Sequence, residues 1–156
     1  MYPSERLMSK YSYLKYQFEP YMPPKLKGLY KDNVVYLNPN LIEDEKETYV
    51  VVAEEISHHI TSVGDITDYN DPESRKQERK ARLVAAEMTI SPAALINAYE
   101  NGAQSKWEVA DELGITGKAL DEGIQLYKEK YGESFTYENY KFRFGKGDSI
   151  EIIKGE

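Results

Sequence analysis

The spacing of apolar positions changes several times along the chain, and each change marks an element. Leu7, Met8, Tyr11 and Leu14 recur at near-helical spacing after Pro3, so a helix is expected within 3–16. The run Glu19-Pro20-Tyr21-Met22-Pro23-Pro24 forbids regular structure, because proline fixes its own φ and restricts the residue before it. Gly28-Leu29-Tyr30 and Val34-Val35-Tyr36-Leu37 flank Lys31-Asp32-Asn33, which predicts a β-hairpin closed by Asn38-Pro39-Asn40. A helix is expected from Leu41 or Ile42, with Glu43, Asp44, Glu45 and Glu47 crowding the end where the helix dipole favours negative charge. It runs through the apolar 49–60 segment and stops at Gly64 and Asp65. A polar loop is expected at 66–74.

The second half reads as mostly helical. One helix is expected from Pro72 or Glu73 to about Ile90, and a short one from Ala93 to Tyr99 after Ser91-Pro92. Residues 105–131 read as helix, turn, helix, with Gly114 at the turn. Two strand-like runs, 134–144 and 149–153, are joined by glycines at 145–147 and form a terminal β-hairpin. The chain carries no internal repeat and no low-complexity stretch.

Composition narrows the chemistry. With 156 residues the chain has room for one domain and an appendix, and 40% hydrophobic with 30% charged residues is the balance of a folded globule. The absence of cysteine removes disulfides, thiolate metal sites and cysteine nucleophiles. No apolar run is long enough to span a membrane, and Met1-Tyr2-Pro3-Ser4-Glu5-Arg6 lacks the pattern of a signal peptide, so a cytoplasmic location is expected. A net charge of −7 argues against a uniformly basic nucleic-acid surface.

The only two histidines, His58 and His59, are adjacent in the most apolar helix and follow Glu54 and Glu55. Residues four apart share a helix face, so Glu54 pairs with His58 and Glu55 with His59 on neighbouring faces. Zinc hydrolases use this spacing: two ligands at i and i+4, with a glutamate after the first ligand as general base. The usual string is His-Glu-x-x-His; here it is Glu54-Glu55-Ile56-Ser57-His58. Glu–His pairs four apart are also ordinary surface ion pairs. Against that reading, Val50, Val51, Val52, Ala53, Ile56 and Ile60 make this a buried helix, where four ionisable groups are costly unless paired or bound to a cation.

Residues 51–66, Val-Val-Ala-Glu-Glu-Ile-Ser-His-His-Ile-Thr-Ser-Val-Gly-Asp-Ile, resemble the active helix of the ImmA/IrrE family of metallo-endopeptidases. The likeness is greatest to short phage and mobile-element members from Gram-positive bacteria, in which the first ligand position is often Glu. Residues 27–37 are similar to the family's hairpin before that helix. Residues 75–87 resemble its second helix, which brings a third, glutamate ligand, and 107–116 match the helical segment beyond.

The resemblance implies an α+β, zincin-like fold: a small N-terminal β-sheet packed on the metal-binding helix, then a helical C-terminal lobe with its β-hairpin. Residues 1–104 would form the peptidase core, with 105–156 packed on it as one unit. The resemblance places Glu54 and His58 on ligand positions and Glu55 on the general-base position. Glu78 is the choice for third ligand over Glu87, while His59 and Asp65 are candidates for a supporting shell or a substitute ligand. It implies a divalent metal, zinc first, and a substrate that is a helix-turn-helix transcriptional repressor of a phage or mobile element. Two carboxylates and one imidazole cancel a divalent charge and form a hard donor set, so manganese or iron compete with zinc and the bound water is less activated. The alternative is a non-catalytic module that binds a repressor and keeps a degenerate metal site. Residues 106–127 also resemble a DNA-binding helix-turn-helix, but Asp121 and Glu122 stand where a DNA reader needs Arg, Lys, Asn or Gln, which argues against direct DNA binding.

Overall fold

The computed structural model describes residues 1–61, 72–145 and 149–155, which pack as two compact units, Met1–Ala85 and Ala86–Glu156. The stop expected at Gly64 and Asp65, most of the 66–74 loop and part of the 145–147 turn lie outside the described residues.

The first unit is organised by a two-residue turn. Asp32 and Asn33 adopt φ of 49° and 66°, a left-handed pair that Asp and Asn tolerate and that matches strand twist. It joins β2 (Gly28–Lys31) to β3 (Val34–Leu37) in antiparallel register, with Tyr30 opposite Val35. The chain start differs from the expected long helix. Helix α1 (Pro3–Lys10) ends early, and β1 (Lys15–Phe18) pairs in parallel with β3. Leu14, whose spacing suggested helix, is buried at the strand's entry. The sheet order is β1-β3-β2, leaving β2 on an edge.

Asn38 is buried and sets the next turn. Its side-chain amide donates to the Leu26 carbonyl and its backbone carbonyl accepts from Leu41 and Ile42. Leu41 closes this turn, and neither it nor Ile42 belongs to the helix. Helix α2 (Glu45–Thr61) starts after Asp44, whose carboxylate accepts from the Glu47 N–H at 3.0 Å. Val51, Val52, Ala53 and Ile56 bury the side of α2 that packs on β2 and β3 with Val35 and Leu37, whereas Ile60 is exposed. Helix α3 (Pro72–Thr89) contributes buried Ala81 and Ala85 to this unit.

In the second unit α4 (Pro92–Glu100) packs with α5 (Lys106–Leu113). Gly114 closes α5 at φ 74°, and α6 (Gly117–Tyr131) follows the three-residue turn. Thr116 caps α6, its hydroxyl accepting from the Ala119 N–H at 3.1 Å. Thr116→Ala is expected to lower stability by about 1 kcal/mol, read from the urea unfolding midpoint. The run expected as one strand over 134–144 is a hairpin, β4 (Ser134–Tyr137) and β5 (Tyr140–Phe144), turning at Glu138 with φ 54°. Strand β6 (Ile150–Lys154) pairs on the other side of β5, so the terminal hairpin is a three-stranded sheet. β5 alternates strictly, and Phe142 stacks on Phe135 with centroids 4.7 Å apart. The α+β class read from the sequence holds. Among the described residues no helix is long and apolar enough to cross a membrane.

Candidate metal centre

The chemistry-bearing residues of α2 separate by face. Glu55 is buried against the sheet, while Glu54, His58 and His59 are half-buried. Gly28 opens β2 where the strand comes closest to α2. A Cβ there would lie 2.5 Å from Val51 Cγ1 and 2.9 Å from Glu55 Oε2, so only glycine leaves room for the carboxylate. Two residues on, the backbone N–H of Tyr30 faces the Glu55 carboxylate. Burial pushes the Glu55 carboxyl up to about 8, and the nearby Glu54 and Glu78 charges push the same way against the Tyr30 N–H.

Glu78 reaches His58 from α3, its Oε2 lying 3.4 Å from His58 Nε2. Its other oxygen lies 3.4 Å from the Arg82 guanidinium, one turn along the same helix. A separation of 3.4 Å is long for a hydrogen bond. It is also the edge of a tetrahedron of ligands about 2.1 Å from a zinc-sized ion, roughly 3.4 Å.

The donor chemistry fits a divalent cation in two further respects. The nitrogen facing Glu78 is an imidazole nitrogen that can carry a lone pair, and the charges of Glu54 and Glu78 crowd Glu55 in a way that a cation would relieve. Two of the three sequence-derived ligands, His58 and Glu78, stand 3.4 Å apart. Among the described residues no group of three or more His, Asp or Glu side chains is arranged to hold a metal ion.

The remaining candidates have other surroundings. Asp65 lies outside the described residues. Glu87 belongs to the second unit, where its carboxylate is 3.3 Å from Lys130 Nζ. His59 has both ring nitrogens engaged, Nδ1 at 2.6 Å from the Tyr30 hydroxyl and Nε2 at 3.1 Å from the Tyr13 hydroxyl. The rings of Tyr30 and Tyr13 pack against it with centroids 5.3 and 5.5 Å away. Ser57 is fully buried and donates to the Ala53 carbonyl at 2.6 Å, a packing role.

Sequence reasoning missed Gly28, Tyr30 and Tyr13. Gly28 left one readable trace, a glycine opening an otherwise apolar strand, which often marks close backbone approach.

The family model described as Peptidase_M78, IrrE N-terminal-like domain, matches residues 9–125, most of the chain and every one of these site residues. No curated protein matches the chain.

Proposed function

The chain belongs to the IrrE N-terminal-like family of M78 peptidases, and from that premise we propose that it is a metal-dependent endopeptidase centred on Glu55. The observation that carries the reading is the 3.4 Å approach of His58 to Glu78 beside the buried Glu55 carboxyl. Glu54, His58 and Glu78 would hold the divalent cation, zinc first, with manganese or iron as competitors for a donor set richer in oxygen than in nitrogen. The bound ion would supply Lewis-acid polarisation of the scissile carbonyl and of water.

The protein's own part is proton handling. Glu55 accepts the proton of the attacking water as the new C–O bond forms, and returns it to the amide nitrogen as the C–N bond breaks. Burial makes the Glu55 carboxylate a stronger base than an exposed glutamate, which suits a group that takes a proton and returns it. The Tyr30 N–H limits the carboxylate's rotation and aims it. The substrate we propose is a helix-turn-helix repressor of a phage or mobile element, cleaved in the cytoplasm; family membership supports a protein substrate, and the repressor identity rests on the resemblance of 51–66.

One observation favours a second reading. With Glu54 at the first ligand position and no three-donor group closed among the described residues, a protein-binding module that does not cleave also fits. Elemental analysis separates the two. Untagged protein supplied with zinc, manganese or iron is expected to hold about one ion per chain, and His58→Ala is expected to lose it. Absence of stoichiometric metal under all three ions overturns the peptidase reading.

A further inference from the structure

Tyr30 is fastened to α2 at two points one helical turn apart. Its backbone N–H faces the Glu55 carboxylate where β2 comes close to α2, and its hydroxyl meets Nδ1 of His59 at 2.6 Å. The hydroxyl also lies 3.1 Å from Asn33 Oδ1, to which it can donate its one proton. Its lone pairs then accept, one from the Asn33 N–H at 3.3 Å and one from His59 Nδ1–H. With the Tyr30 proton on Asn33, the imidazole carries its own proton on Nδ1, and Nε2 is then free to accept from the Tyr13 hydroxyl at 3.1 Å. Both nitrogens of His59 are thereby committed to tyrosines.

Strand β2 needs such a fastening. It is an edge strand, paired with β3 on one side only. The missing side chain of Gly28 lets it lie close to α2 at Glu55 but does not hold it there. Turn residue Asn33, strand residue Tyr30 and helix residue His59 form one chain of hydrogen bonds that ties the hairpin to the helix. The end of that chain is the amide that aims Glu55.

We propose that Tyr30 is a positioning residue for Glu55, with His59 and Tyr13 as its anchor, and that His59 acts through Tyr30 rather than as a metal ligand. The proposal rests on the reading of Glu55 as the proton-transferring group, but its test does not require activity. Amide hydrogen exchange followed by NMR reads the Tyr30 N–H directly. Tyr30→Phe and His59→Leu are expected to speed exchange at the Tyr30 amide by about five- to tenfold, the loss of one hydrogen bond's hold. Amides of Val35 and Leu37 in β3 are expected to change less than about twofold. His59→Asn, whose side-chain amide can stand near the Nδ1–H position, is expected to restore much of the protection, and His59→Leu is expected to keep the zinc content of the unmodified chain.

With a cleavable substrate, the same variants are expected to lower kcat and leave KM nearly unchanged. Unchanged exchange at Tyr30, or equal loosening of β2 and β3, overturns the positioning role. Loss of zinc in His59→Leu overturns it as well, since His59 would then be a ligand. Full activity in Glu55→Gln would overturn the function proposed for Glu55 while leaving the measured hold on the Tyr30 amide intact, so the two failures are distinguishable.

Discussion

Glu55→Gln is expected to lower peptide cleavage by about a thousandfold while the bound metal and the fold are retained, since a positioned general base contributes roughly 10²–10⁴-fold. The glutamine is nearly isosteric. Its carbonyl oxygen can still accept from the Tyr30 N–H, and its amide occupies the space that Gly28 leaves open. What is lost is the ability to take a proton from water and hand it to the leaving nitrogen. A discontinuous assay on a purified repressor, with metal content measured on the same sample, checks this. Cleavage within about tenfold of the unmodified chain would remove Glu55 from the base position.

The same substitution has a second, independent signature in metal-free protein. The Glu55 carboxyl titrates at about 8 in the fold against 4.5 as its ordinary value. Below the lower value both folded and unfolded chains hold the proton, so the group contributes no pH dependence. Between the two values the folded chain holds a proton that the unfolded chain has released, and stability falls as pH rises, by about 1.4 kcal/mol per unit for one proton. Above about 8 both states are ionised and the loss is complete, a few kcal/mol in all. Glu55→Gln is expected to flatten this slope and to make the metal-free protein the more stable of the two at pH 8.5. Urea midpoints at pH 5 and 8.5 in the presence of a chelator decide it, and an equal slope in both proteins would show that Glu55 ionises normally in the fold.

The parts of the site that were legible in the sequence are those fixed by local spacing. Glu54, Glu55, His58 and His59 lie close together on one helix, so their division between faces follows from 3.6 residues per turn. The Asp32-Asn33 turn was legible because few residues accept two successive positive φ values. What escaped depends on distant chain. Strand β1 is a strand because it lies beside β3 in parallel, a pairing that no pattern within 3–16 encodes, and the Leu14 spacing fits helix and strand entry alike. The hairpin within 134–144 escaped because its turn is Glu138-Asn139 rather than a glycine pair, although Glu138 still takes a positive φ. His59 looked like a spare ligand because Tyr13, 46 residues earlier, and Tyr30, 29 residues earlier, carry no sign of their partner. The charge of the site was readable from composition, but the burial that raises Glu55 was not, since it depends on a neighbouring strand lacking a Cβ at one position.

That position supplies the second large effect. Gly28→Ala is expected to destabilise the protein by about 2 kcal/mol, as overpacking a tight contact does. It is also expected to lower cleavage by about a hundredfold, through displacement of Glu55. Its φ is not in the left-handed region, so the cost is one of space. The new methyl would meet two atoms, Val51 Cγ1 at 2.5 Å and Glu55 Oε2 at 2.9 Å. The two contacts can be relieved separately. Adding Val51→Ala to Gly28→Ala removes the hydrocarbon clash and is expected to recover stability relative to the sum of the single changes, a coupling of about 1 kcal/mol. It leaves the methyl against the carboxylate, which must still rotate away from the Tyr30 N–H, so cleavage should stay low. Gly102→Ala is the control for conformational cost alone: φ is +91° with nothing within 4 Å, so it should lose stability without losing activity. If Gly28→Ala unfolds and cleaves like the unmodified chain, the strand has room to withdraw. If the double variant regains activity together with stability, Val51 rather than Glu55 is what Gly28 makes room for, and the close approach of β2 serves packing alone.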